Sequence, residues 1–86
     1  MSEYHIGYVT LFDKRGEVAE QFCRGTCDTN RLKDVATRKL KKKGYYSIMI
    51  EWGDCVYYRP GGFSRPHWVR KPKNQFVMPF SGMKEE

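Results

Sequence analysis

The chain has no long hydrophobic run. No stretch approaches the roughly 20 apolar residues that a bilayer span needs, so no membrane partner is expected. Its first residues, Met1-Ser2-Glu3-Tyr4-His5, lack the basic region and apolar run of a secretory leader. Cysteine is scarce, at three residues, and an odd count does not suit a secreted disulfide scaffold. Read as reduced thiols, these cysteines point to a cytoplasmic protein.

Catalytic signatures are also absent. The chain contains no H-E-x-x-H, no G-x-S-x-G and no phosphate loop of the G-x4-G-K-[ST] form. Its carboxylates are scattered, and their spacing sets no pair on one helix face. A fold of 86 residues has little room to enclose a substrate cavity of ~300 Å3 or more. An enzyme is not expected, nor is a cofactor. Cys23, Cys27, Cys55 and His67 could together supply four metal ligands, with His5 as a spare. Structural zinc sites draw on short paired spacings, however, and here only Cys23 and Cys27 are close. Partly buried thiols are the preferred reading, and no metal is expected.

Aromatic residues are plentiful, at 15%. Large rings let a short chain build a core from few residues. Positive charge is also plentiful, and it is segregated. Residues 23–44 hold eight Lys/Arg against two carboxylates, and residues 59–86 hold six against two. The segments 1–22 and 45–58 are slightly acidic. Such segregation creates a positive field that attracts polyanions.

Residues 4–12 (YHIGYVTLF) are aromatic and β-branched and predict a strand. Asp13-Lys14-Arg15-Gly16 predicts a hairpin loop, with Asp opening the turn and Gly16 taking the left-handed conformation. Residues 17–23 (EVAEQFC) predict the returning strand. Their alternation is imperfect, because Val18 and Phe22 share a parity with Glu20, and a helix is the competing reading. Asp28 or Thr29 is a suitable N-cap. Leu32, Val35, Ala36 and Leu40 then form one apolar stripe at helical period. Lys41-Lys42-Lys43 suits a last turn, and Gly44 suits the position after it. A helix is predicted over 29–43.

Residues 45–52 (YYSIMIEW) carry the strongest strand signal. Alternation sets Tyr46, Ile48, Ile50 and Trp52 on one face and Tyr45, Ser47, Met49 and Glu51 on the other. Gly53-Asp54 predicts a two-residue hairpin turn, and residues 55–59 return. The predicted fold is α+β: a ββαββ core over residues 1–59, with one helix on one face of a four-stranded antiparallel sheet. Residues 60–86 form a basic, aromatic, Pro/Gly-rich extension packed on or near the core. Its segment 75–80 (QFVMPF) reads as a short edge strand or an apolar latch, with Pro79 confining it to an edge.

Two surfaces are candidates for function. In the first, Arg31, Arg38, Lys41, Lys42 and Lys43 of the helix join Arg65, Arg70, Lys71 and Lys73 of the extension to contact phosphates. Trp68 supplies a ring for a base or sugar. Phe63 and Trp68 can instead fold back over the second sheet face. DNA or RNA, bound non-specifically or by shape, is the partner this surface implies. In the second, Tyr45, Met49 and Tyr57 share the sheet face away from the helix and form a protein interface. That describes a small accessory or inhibitory module of the mobile-element type, docking on a larger protein or nucleoprotein complex. The same face also admits a homodimer.

Overall fold

A computed structural model describes residues 3–62 and 67–75. The elements run β1 (His5–Phe12), β2 (Val18–Thr26), α1 (Thr29–Lys43), β3 (Ser47–Trp52), β4 (Cys55–Arg59) and β5 (Val69–Pro72). A 3-10 turn, Lys73–Gln75, follows. The strands form one five-stranded sheet in the order β2-β1-β3-β4-β5, antiparallel throughout. The ββαββ core is therefore as the sequence predicts. The sheet gains a fifth strand, because Val69–Pro72 pairs with β4 where the sequence pattern predicts irregular extension. The predicted latch at 76–80 lies outside the described residues.

Local chemistry sets the boundaries. Asp13 Oδ1 accepts from the backbone N–H groups of Arg15 at 2.9 Å and Glu17 at 3.0 Å. Gly16 sits at φ 82°, so the hairpin loop closes as an Asx-type turn. The imperfect alternation of residues 17–23 has a structural cause. The β1–β2 register shifts between Leu11 and Phe12, so Leu11 pairs with Glu20 while Phe12 pairs with Val18. This bulge at Ala19 moves Val18 to the face opposite Glu20.

Asp28 caps α1, its carboxylate accepting from the Asn30 N–H at 3.0 Å. Gly44 ends the helix in the left-handed region, φ 71°, where a side chain would be strained. Gly53 opens the two-residue β3–β4 turn at φ 60°, with Trp52 and Cys55 paired across it.

The helix lies on the face that carries Val9, Leu11, Ile48 and Ile50. These four, with Leu32 and Ala36 of α1, form the buried core. Gly7 belongs to the same face for a steric reason. A Cβ there would collide with the end of the Leu32 side chain, so the bare backbone of β1 leaves the room that Leu32 occupies. The opposite face carries Tyr8, Thr10, Phe12, Met49, Val56 and Tyr58. Phe12 and Val56 are buried there, and Tyr8 is 54% exposed. Among the described residues, no helix is long and apolar enough to cross a membrane.

Candidate polyanion-binding surface

Glu20 organises the cations of α1. The Leu11–Glu20 pairing turns its carboxylate to the helix side of the sheet. Lys39 Nζ meets Oε2 at 3.0 Å and Lys43 Nζ meets Oε1 at 3.6 Å. The Tyr45 hydroxyl donates to Oε1 at 3.2 Å. The Lys39 hydrogen bond is the main cause that holds the Glu20 pKa below its ordinary value. Desolvation opposes it, and the Tyr45 hydrogen bond and the charges of Lys39 and Lys43 reinforce it. Lys39 also lies over the Phe22 ring, 5.3 Å from its centroid. Two of the helix lysines thus have a carboxylate partner within the domain.

The other helix cations have none. Among the described residues, no ion pair involves Arg31, Arg38, Lys41 or Lys42, and all four are exposed. Arg31 and Arg38 line a shallow hollow of about 280 Å3 together with Arg24, Asp34 and Val35. Three arginines and one aspartate line it, so the hollow has a positive balance of charge. Lys41 and Lys42 stand in the last turn, where the helix dipole favours them.

The other flank of α1 meets β4 and Trp68, the residue before β5. Lys33 Nζ lies 4.7 Å from the Tyr57 ring centroid and 5.5 Å from the Trp68 ring centroid. Arg59 donates to the Thr37 hydroxyl at 3.1 Å. Arg70 pairs across the ladder with Tyr57 and so projects on this same face, exposed. Lys71 pairs with Val56 and therefore projects on the opposite face. Lys73 donates its backbone N–H to the Asp54 carbonyl at 2.7 Å, and its side chain borders a separate hollow beside Tyr8 and Glu51. Arg65 lies outside the described residues.

The two cationic segments therefore converge in part. Arg31, Arg38, Lys41 and Lys42 share the helix side of the molecule with Arg70, whereas Lys71 and Lys73 do not. Lys33 and Arg59, which belong to the two cationic segments, join this side, and so does Arg24, which the sequence reading did not assign to it. For Arg24 and Arg59 the signal was present as strand parity with Phe22 and Tyr57. The reading also missed Glu20 as the group that takes up Lys39 and Lys43. Its signal was the charged residue at an inward position of an alternating strand.

The predicted ring positions need correction. Trp68 is half-buried and packs against the core under Lys33. The Trp52 indole N–H donates to the Thr26 carbonyl at 2.9 Å, and its ring meets His5 edge-on at 4.8 Å. Tyr45, Met49 and Tyr57 do not share a face. Tyr57 and Tyr45 pack against the helix-side core, while Met49 pairs with Tyr58 on the opposite face. β3 begins at Ser47, so the alternation does not extend back to Tyr45, and the β3–β4 register sets Tyr57 opposite Ile50 on the helix side. Phe63, the other ring expected to fold back, lies outside the described residues.

Cys23, Cys27 and Cys55 are free thiols. Among the described residues, no three His, Cys, Asp or Glu side chains come close enough to hold a metal ion. No protein-family model, curated protein or solved structure matches the chain.

Proposed function

We propose that the domain is a non-enzymatic nucleic-acid-binding module that grips the phosphate backbone with the helix side of the molecule. One observation carries this reading: Arg31, Arg38, Lys41 and Lys42 are exposed and lack a carboxylate partner among the described residues. Cations without a carboxylate partner can take the place of the counterions condensed on a phosphate backbone. They gain free energy by meeting a phosphate lattice, from which counterions are then released.

Backbone contact is favoured over base stacking. On the cationic side the described indoles are already engaged: Trp68 lies under Lys33, and Trp52 lies against His5. The exposed rings, Tyr4 at 70%, Tyr8 at 54% and Tyr46 at 40%, border other hollows of the surface. Phosphate contact without base contact yields binding that depends on salt and little on sequence.

The test is a salt series with generic DNA and RNA. About four phosphate contacts give a slope of roughly −4 in log K against log salt. Affinity then falls roughly 10^2-fold or more between 50 and 200 mM salt, a span that follows from the same slope. Affinity that stays flat over that range contradicts the proposal.

A second reading has its own observation. Tyr4, Ile6 and Tyr8 are exposed around a hollow of about 450 Å3 on the opposite face. Aromatic side chains so placed suit a protein partner, consistent with an accessory module docking on a larger complex. A stoichiometric protein that stays bound after nuclease treatment, and is lost with Tyr8→Ala, favours this reading. Loss of the partner on nuclease treatment favours the first.

A further inference from the structure

The two edges of the sheet are built differently. The β5 edge is four residues long, ends at Pro72 and carries Arg70 and Lys71. Short length, cations and proline are all devices that stop an edge from pairing with another chain. The β2 edge has fewer of them, its charges being one cation, Arg24, and one inward carboxylate, Glu20. It runs nine residues without proline or lysine, and among the described residues nothing pairs with its outer side. Its bulge lies at one end, beside Val18, which leaves 20–26 as a regular row of backbone donors and acceptors.

We propose that this edge is a self-association surface and that its partner is the β2 of a second copy, joined antiparallel about Phe22. A two-fold axis perpendicular to the sheet pairs residues of like parity, so each side chain keeps its face and both helices stay on one side. Only a few registers meet that condition. Centring on Phe22 sets Glu20 against the partner's Arg24, Phe22 against the partner's Phe22, and Arg24 against the partner's Glu20. Gln21 then faces the partner's Cys23. Centring on Gln21 instead leaves Arg24 opposite Val18, and centring on Cys23 sets Phe22 opposite Arg24. Opposite charges and paired rings across a ladder are the favourable combinations, and the Phe22-centred register supplies both twice over or on the axis.

Arg24 is exposed and has no ion pair among the described residues. Glu20 is already held by Lys39 and Lys43, so the partner's Arg24 extends a network whose acceptor is in place. The net charge of +6 on each chain opposes association at long range. Added salt screens that repulsion and the Glu20–Arg24 attractions alike, so self-association changes far less with salt than phosphate binding does. The two properties are thereby separable in one titration.

Sedimentation of the full chain over a concentration series reads the association. The expected result is a monomer–dimer equilibrium whose dissociation constant rises about tenfold in Arg24→Glu, as two cross-strand pairs turn from attraction to repulsion. That variant lowers the net positive charge, so general repulsion alone predicts the reverse. Circular dichroism checks that it folds, since Arg24 makes no contact the fold needs. In Gln21→Cys, oxidised glutathione is expected to link the introduced thiol to Cys23 of the second copy, as peptide mapping reads. A monomer at every concentration overturns the proposal. So does Arg24→Glu that associates as tightly as the parent chain, or a crosslink that joins other positions.

Discussion

Apart from Lys33, which lies over Tyr57 and Trp68, the cations of helix α1 form two groups that differ in their neighbours. Lys39 and Lys43 converge on Glu20, at 3.0 and 3.6 Å. Arg31, Arg38, Lys41 and Lys42 are exposed and meet no carboxylate within ion-pair distance among the described residues. The first group is half spent on the fold, and the second is available to a ligand. A count of positive residues does not separate them. The parity of Glu20 on β2 does, because it decides which side of the helix meets a negative charge.

The largest effect is expected from removing the available group. Arg31→Ala, Arg38→Ala, Lys41→Ala and Lys42→Ala combined should flatten the salt dependence by about 3–4 units of slope. Binding to generic duplex at moderate salt should fall to near background in a gel-shift or anisotropy assay. Retained binding with an unchanged slope would place the ligand elsewhere, with the surface around Tyr8 the next to test.

Next comes the variant that transfers cations from one group to the other. Glu20→Gln releases Lys39 and Lys43, and about two added contacts should steepen the slope by nearly 2. Affinity below 100 mM salt, on the order of the screening range, should rise. The same change affects stability with a definite sign. The Glu20 pKa is lowered in the fold, chiefly by the Lys39 hydrogen bond. Its contribution is therefore full above the ordinary value of 4.5 and is lost as pH falls through the lower, folded value. Thermal melts of the parent chain should drop over that acid window, and those of Glu20→Gln should drop less. Parallel melting curves for the two would remove Glu20 from its assigned part.

Smaller effects probe the scaffold. Asp28→Ala removes the bond to the Asn30 N–H and should cost about 1 kcal/mol of stability by denaturant titration. Binding should change little where the protein remains folded. Arg70→Ala should lower the salt slope by roughly 1 and leave melting unchanged. Lys71→Ala, one residue along and on the opposite face, should leave both unchanged. A matching loss in the two would mean that strand parity does not sort the contacts.

Much of the fold was legible because the signals were local. The cap, the apolar stripe, the lysine turn and Gly44 each mark α1, and the helix runs Thr29–Lys43 as they predict. Asp13, Gly16 and Gly53 likewise mark the two hairpin turns. The fifth strand was not legible. Val69–Pro72 reads VRKP, with two cations, a proline and no alternation of apolar residues. Only its pairing with β4 makes it a strand, and an edge strand exposed over most of its length leaves no apolar alternation behind.

The candidate surface was half legible for a related reason. Helical spacing shows that the cations of α1 avoid the apolar stripe, and Arg31, Arg38, Lys41, Lys42 and Lys43 among them are exposed. It does not reveal that Glu20 reaches two of them, which depends on a bulge at Ala19 and on β1–β2 register. Trp68 shows the same limit from the other direction. Its setting among Arg and Lys residues suits a stacking ring, but tertiary packing seats it under Lys33.

The comparison within α1 is tested most directly by two double variants of equal formal charge, measured for duplex binding over one salt series. Arg31→Ala with Arg38→Ala should reduce the slope by nearly 2, and Lys39→Ala with Lys43→Ala by well under 1. Equal reductions in the two would contradict the account, since total charge and not its pairing would then govern the interaction.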